Sequence, residues 1–469
     1  MEKIKISELI SWTSSVPVFL KSKSVSSFST DSRNIEKNDF FIPLKGPNFD
    51  GHRFISEAVK KGISGFAFEK NNKYVPAEIE RIRKNNLNIS VIECSSMPDF
   101  LMNAARGYMS RYFPVSIGVT GSVGKTTVKN FLAGILKRCG KTVYSRKSYN
   151  NEIGIPKTIF ETDRETRYFI AEIGMRAKGQ IRELSSACNI KYGIITRIGP
   201  SHLEFFDNIE EIAKSKIEIS EVIGKNNGIL FLNSDDDYYG VLKKYAECET
   251  IDCGSNSIYK YNFSNISIEE NACYCFDLNL FDSKITRIKL SIPGFHNIYN
   301  AMLAAALSYE IGIDKEIIKK SIEETIPEDF RMEITEINNK YIINDCYNAN
   351  PVSFKSAIDT LKTISEIKKT RSVAIIGDMF ELGSKSEKYH EDLGKYLLSS
   401  GIDVLIALGE KSKIAYCTYM NEKESLDECY YFADKDSLIK SIKDIIRDED
   451  VILIKGSRGN FMEDIINYI

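Results

Sequence analysis

Residues 118–127 read Gly-Val-Thr-Gly-Ser-Val-Gly-Lys-Thr-Thr and follow directly on an apolar run that begins at Val115. A glycine-rich turn between a strand and a helix lets backbone N–H groups close around phosphate oxygens, and the helix N-terminus adds a favourable dipole. Gly121, Ser122 and Gly124 form the turn. Lys125 can reach β- and γ-phosphates, and the hydroxyl of Thr126, which Thr127 follows, can ligate Mg²⁺. The general pattern asks for glycine five residues before Gly124, where Val119 stands, so the match is to a shortened variant built on Gly121. Such a turn can be purely structural, but GKTT after an apolar strand favours a nucleotide. By itself the loop does not separate a ligase from a kinase. A GTPase needs a guanine-specifying motif such as NKxD, and the chain has none.

Two further residues sit where chemistry is expected. Glu172 closes the apolar segment Tyr168–Gly174, and His202 follows the next such segment just after Gly199. In an open parallel sheet both lie at carboxyl ends of strands, where ligands bind. A carboxylate and a neutral imidazole there can hold a metal ion. The competing readings are an ion-paired or helix-capping Glu172 and a loop His202 with ordinary partners. Asn297 and Asn300 open a strongly apolar helix, a place where polar side chains often only cap. The ten cysteines are scattered, with Cys273 and Cys275 the one close pair, inside an alternating segment. They are expected to be reduced and packed as small hydrophobes, with neither a disulfide framework nor a zinc site.

These residues need a frame. A chain of 469 residues exceeds a single hydrophobic core. The fold class expected is α/β in three domains, at 1–94, 95–326 and 327–469. The first is small and mixed. Lys5 to Trp12 reads as helix, Asp39–Gly46 as strand and turn, Ile55–Gly62 as helix and GISGFAFEK as strand, with the polar stretch NNKYVPAEIERIRKNN as a separator. The second alternates apolar strands with helices. Tyr168–Gly174, Tyr192–Gly199 and Gly228–Asn233 are near-continuous apolar runs that suit a parallel sheet covered on both faces. Shorter alternation over Ser255–Pro293 points to an antiparallel addition before the helix His296–Gly312. In the third domain YIINDCY, SVAIIGDM, DVLIALGE and VILIKGSR are strands of a doubly wound, Rossmann-like unit. A net charge of −2 gives no basis for a nucleic-acid or anionic-membrane partner, and no apolar run is long enough to span a bilayer. The amino-terminal stretch lacks a secretory signal's apolar core, so a cytoplasmic protein is expected, and the near-neutral charge gives no reason to expect more than a monomer.

The segments TGSVGKTT, YNNEIGIP, AEIGMRAKGQI, IGPSHLEFF, HNIYNAMLAAAL, DCYNANPVSF, GDMFELG and KGSRGNFME, in this order, resemble the Mur ligases over nearly the whole chain. STDSR (Ser29–Arg33) and LKGPNFDGH (Leu44–His52) extend the likeness into the first domain, and His52, His202, His296 and His390 all fall at positions the resemblance covers. It implies a UDP-substrate domain, a central ATPase domain and a C-terminal Rossmann-like domain. It also implies an ATP-dependent ligase of the branch that adds D-alanyl-D-alanine to a UDP-N-acetylmuramoyl tripeptide through an acyl phosphate. Lys125, Glu172, His202, Lys216 and Arg331 would be catalytic. Thr126, Glu172, His202 and Lys216 would hold two Mg²⁺ ions, with Lys216 carbamylated by CO₂. Its competing reading is a solvated helix lysine, and Lys214 is a rival for the match. Asn297 and Asp345 would contact the nucleotide. Ser29, Asp31, Ser32, Arg33, Lys45, Asn151, Asn348 and Asn350 would contact the other substrates, and Lys455 and Arg458 are structural or substrate-proximal. Two departures leave acceptor details open: Arg176-Ala177 replaces an Asn-His pair, and Asn344 stands where an acid is common. A related ligase using D-alanyl-D-lactate remains an alternative, as does a nucleotide-binding module without chemistry. The uridine-type first domain argues against a folate acceptor.

Overall fold

The computed structural model describes residues 1–46, 48–269, 271–422 and 428–469. Pro47, within the Leu44–His52 segment, lies outside the described residues. The chain divides into two compact units. One comprises Met1–Gly118, Gly140–Met175 and Gln180–Lys191; the other comprises Val119–Cys139, Arg176–Gly179 and Tyr192–Ile469.

In the first unit a five-stranded sheet runs in the order Val16–Phe19, Ser90–Cys94, Gly65–Glu69, Phe40–Phe41, Phe28–Ser29. The last four are parallel, and Val16–Phe19, carrying Pro17, is an antiparallel edge, the place where a missing N–H costs least. Ile55, Ile63, Phe66, Ile82 and Val91 form the core on one face. The stretch expected to be a separator contains the helix Pro76–Lys84, with proline in its first turn and Ile82 buried in that core. Its polar composition belongs to its outward side, so one apolar stripe was enough to dock it. On the opposite face the helix Met97–Met109 passes so close to Trp12 that a Cβ on Gly107 would lie 2.2 Å from the indole. The same unit holds the parallel pair Thr142–Tyr144 and Tyr168–Glu172; the latter is buried at every position.

In the second unit Tyr192–Ile195, Ile229–Asn233 and Glu249–Cys253 are parallel neighbours. The alternating region forms an antiparallel meander of Asn262–Ile268, Tyr274–Asn279 and Lys284–Lys289, as its period of two anticipates. The helix His296–Glu310, buried along most of its length, packs beside the helix Lys125–Lys137. The C-terminal sheet runs Glu333–Ile337, Lys340–Asp345, Val451–Lys455, Ser372–Gly377, Val404–Leu408, Cys429–Phe432, parallel except for the first strand. Its four inner strands are those expected. The two edge strands are half-buried; Glu333–Ile337 is interrupted by polar residues, and Cys429–Phe432 is a run of only four residues. The cysteines form no disulfide, and no helix among the described residues is long and apolar enough to cross a membrane.

Candidate active site

The strand Val115–Thr120 delivers the phosphate loop, and the helix begins at Lys125. Val119 is a fully buried strand residue, so the turn starts only after it. The loop is stapled to residues 196–201. Ser122 donates its N–H to the Arg197 carbonyl (2.7 Å) and its hydroxyl to the Gly199 carbonyl (2.9 Å), while Thr196 Oγ1 donates to the Val123 carbonyl (2.5 Å). A Cβ on Gly121 would lie 1.9 Å from Thr196 Oγ1. Gly124 sits at φ +84°, and a Cβ there would approach Asn300 Oδ1 to 2.6 Å. Glycine is thus demanded twice, by close approach and by backbone conformation. Lys125 Nζ folds back on the loop, donating to the Gly121 carbonyl at 2.7 Å, and Thr126 is buried behind it.

Helical periodicity separates the two rival lysines. On Ile209–Ile217, Lys214 faces solvent and pairs with Glu210 at 2.7 Å, which raises its pKa. Two residues on, Lys216 is 1% exposed. Burial, and after it the charge of Lys125, hold its amine well below the usual lysine range. His202, at φ +56°, belongs to the same neighbourhood. Burial pushes its pKa down, and Lys216 and Lys125 act in the same sense, against the carboxylate of Glu381. The Nδ1 of His202 lies 2.6 Å from Glu381 Oε2, but the oxygen sits off the N–H axis, leaving that nitrogen without an aligned partner.

Glu172, in the first unit, is 2% exposed and accepts from Asn150 Nδ2 at 3.0 Å, while its N–H donates to Ser145 Oγ. Nearby in sequence, Asn151 Oδ1 accepts from the N–H groups of Ile153 and Gly154. In the STDSR loop Ser29 Oγ donates to the Asp31 carbonyl, and Asp31 accepts both from its own turn and bidentately from Arg33, which drops its pKa to about 2. Arg33 is solvent-exposed, Ser32 lies in the turn itself, and Lys45 is paired with Glu69. Two histidines resolve as structural. His52 donates from Nδ1 to Asp50 and accepts the Glu69 N–H at Nε2; His390 donates from Nδ1 to the Ser386 carbonyl and accepts the Met379 N–H.

On the C-terminal side Asp345 pairs with the buried Lys455 at 2.5 Å and accepts the Met332 N–H, tying down the linker. Lys455 also donates to the Asn348 carbonyl; the Asn348 residue is otherwise exposed. Arg458 pairs with Glu463. Arg331 stacks over Tyr347, 3.9 Å from the ring centroid, and its Nε lies 3.8 Å from Glu328, which also faces the buried Lys129 at 3.9 Å. Asn350 caps the helix Pro351–Lys368 through the Ser353 N–H. Asn297 is committed locally, donating to the Pro293 carbonyl and accepting from Asn300. Asn344 is buried with its Nδ2 on Glu333 and its Oδ1 without a partner. A cavity of about 220 Å³ opens beside His296, lined by Arg197, Asp235 and Tyr299 and, across it, by Asp359 and Thr363 of the 351–368 helix. Burial lowers His296 to about 4.

Lys125, Lys216 and His202 therefore come together, whereas Asn297, Asn350 and Asp345 are held by structural partners. Thr196 and Glu381 were not singled out from the sequence. Glu381 lies inside the quoted GDMFELG segment; Thr196 carries no sequence signal. Residues 119–308 match the Mur ligase middle domain, 330–458 the Mur ligase glutamate ligase domain and 24–108 the Mur ligase family catalytic domain. The chain is 30% identical, over 98% of its length and 96% of the relative's, to the UDP-N-acetylmuramoyl-tripeptide--D-alanyl-D-alanine ligase of Bacillus subtilis. The chain belongs to the Mur ligase family. This Mur ligase is also 28% identical to the Escherichia coli enzyme of the same name, over 93% of this chain and 92% of that one. Its fold matches a MurF crystal structure from Acinetobacter baumannii with a TM-score of 0.89 (24% identity, 100% and 98% coverage). It also matches MurF ligase from Thermotoga maritima in complex with ADP with a TM-score of 0.79 (24% identity, 95% and 97% coverage).

Proposed function

We propose that this Mur ligase couples ATP cleavage to joining D-alanyl-D-alanine onto the tripeptide of a UDP-N-acetylmuramoyl tripeptide. In this reading the family resemblance divides the chain into three domains at 1–94, 95–326 and 327–469. The observation that carries the ligase reading is the grouping of Lys125 on a glycine-built phosphate loop with the buried, neutral-leaning Lys216 and with His202. Relatives that carry this substrate pair in their name support the acceptor assignment.

Lys125, exchanging the Gly121 carbonyl for the β- and γ-phosphates, offsets charge on the transferring group. The tripeptide's terminal carboxylate attacks the γ-phosphorus; the bond to the bridging oxygen breaks, ADP leaves, and an acyl phosphate forms. The dipeptide's amine then attacks the acyl carbon. A tetrahedral adduct collapses, its C–O bond to phosphate breaks, and the nitrogen loses a proton. An acyl phosphate is water-labile, so the site must close before chemistry, with Arg331 moving from Tyr347 toward the phosphates.

The Thr126 hydroxyl, the His202 imidazole and an amine already held off its ammonium form would suit a hard cation, and the family resemblance adds the Glu172 carboxylate. Neutral Lys216 attacks CO₂ and loses a proton, becoming a carbamate oxygen donor. When bound, Mg²⁺ supplies charge neutralisation on the phosphoryl group. Ser29, Ser32, Arg33 and Lys45 would present hydroxyl and cationic groups to a uridine diphosphate, with the Asp31 carboxylate orienting Arg33. The exposed Asn348 and Asn151 remain available to the peptide parts.

The test is phosphate release from ATP with UDP-N-acetylmuramoyl tripeptide, with and without D-alanyl-D-alanine. Release only with both, together with a pentapeptide product by mass, is the expected result. Release with D-alanyl-D-lactate instead would keep the chemistry and overturn the acceptor, whereas no release with any acceptor would leave only a nucleotide-binding module.

A further inference from the structure

The loop after strand Ser372–Gly377 is held rigidly by its own part of the chain. Asp378 accepts the N–H and hydroxyl of Ser412, the Met379 N–H enters His390, and the Phe380 N–H donates to Ser457 Oγ. From that base the loop reaches residues 202–207. The Glu204 N–H donates to the Glu381 carbonyl (3.2 Å), Lys385 Nζ donates to the Asp207 carbonyl (2.8 Å), and a Cβ on Gly383 would lie 3.1 Å from the Leu203 carbonyl oxygen. At the centre of this contact the Glu381 carboxylate meets His202 Nδ1 at 2.6 Å, with Arg176 3.9 Å from its other oxygen. Both His202 and Glu381 have positive φ, at 56° and 61°. Such backbone geometry persists in non-glycine residues only where surroundings impose it, and it clusters at functional sites.

At 2.6 Å a lone pair on Nδ1 would be repelled by the carboxylate, so that nitrogen carries the proton although no aligned hydrogen bond is made, and the other nitrogen keeps the lone pair. A carboxylate so placed fixes the tautomer and ring orientation of a metal-ligating histidine. We infer that Glu381 is a positioning residue, holding His202 as the Nδ1–H tautomer so that Nε2 is its donor atom, and thereby making that donor depend on docking of the C-terminal part. Residue 176, where this chain departs from the Asn-His pair, places a guanidinium 3.9 Å from the other oxygen of Glu381. The inference rests on the reading of His202 as a Mg²⁺ ligand.

The experiment uses the full-length protein and the variants Glu381→Ala, Glu381→Asn and Glu381→Gln. Two quantities are read: the tautomer of His202 by ¹⁵N NMR of histidine-labelled protein, assigned with His202→Ala, and the Mg²⁺ concentration giving half-maximal phosphate release. Loss of the carboxylate in Glu381→Ala should shift His202 toward the Nε2–H form and raise half-saturating Mg²⁺ by about tenfold or more. ATP affinity in EDTA should stay unchanged. Glu381→Gln, whose carbonyl oxygen still accepts, should restore the tautomer. Glu381→Asn, too short to reach, carries the same test if the alanine variant does not fold. An unchanged tautomer and an unchanged Mg²⁺ curve in the alanine or asparagine variant would overturn the inference while leaving the ligase reading intact. If wild type releases no phosphate at all, it is the functional reading that fails, and the tautomer alone then decides the role of Glu381.

Discussion

Lys216 and Lys214 differ by two residues and by their whole environment. The first is buried beside Lys125, the second is solvated and paired with Glu210. The proposed carbamylation needs a neutral amine, which burial favours at Lys216 and not at Lys214. Lys216→Ala should lower ligase turnover by roughly two orders of magnitude, the scale of a lost group acting on transferring charge. Lys214→Ala should leave it nearly unchanged, and wild-type activity should fall in CO₂-depleted buffer and return with bicarbonate. Steady-state phosphate release reads all three. His296 supplies a pH prediction. Its imidazole takes a proton near pH 6.5 in the unfolded chain and at about 4 when folded, because burial disfavours the charge. Between those values the unfolded chain binds more protons, so stability rises with pH across this window and is lost as pH falls through it. The contribution is about 3 kcal/mol. Urea midpoints at pH 7 and pH 5 should differ less in His296→Gln than in wild type.

The helices show why particular polar residues sit where they do. Asn350 satisfies orphan N–H groups at the start of Pro351–Lys368, in a reciprocal box with Ser353. Asn350→Ala should cost about 1 kcal/mol, and Asn350→Asp should recover most of it, as denaturant titration will show. If the alanine variant changed the KM for D-alanyl-D-alanine without lowering stability, the capping role would be wrong. Asn300 leaves no room for a Cβ on Gly124 and donates to Asn297, so the apolar helix His296–Glu310 places its two amides beside the phosphate loop.

For the whole molecule, the phosphate loop is tied to residues 196–201, and the 378–385 loop to residues 202–207, so the proposed nucleotide loop and the C-terminal loop are held to one continuous segment. The proposed ATP site exists only in the folded arrangement of that segment. At a hundred times its dissociation constant, ATP should stabilise the protein by about 2.7 kcal/mol. Calorimetry should show a raised thermal midpoint for wild type and little rise for Lys125→Ala.

The strongest local signals were legible in sequence. GKTT after an apolar strand located the loop, near-continuous apolar runs placed the inner strands, alternation placed the antiparallel meander, and a strongly apolar segment marked the His296–Glu310 helix. A buried strand must be apolar throughout, and a phosphate loop must be glycine-rich whatever surrounds it. Weak signals failed where a single stripe sufficed, as in Pro76–Lys84 with Ile82, or where an edge strand is half solvated. Sequence also named Lys216 and His202 but did not separate Lys216 from Lys214. Nor did it show that His52 and His390 have both ring nitrogens occupied, that Asn350 is a cap, or that Glu381 faces His202. Those facts depend on which groups, far apart in the chain, share one dehydrated space. Burial and charge proximity are properties of the packed chain, and they decide which of several chemically capable side chains is neutral, oriented and able to act.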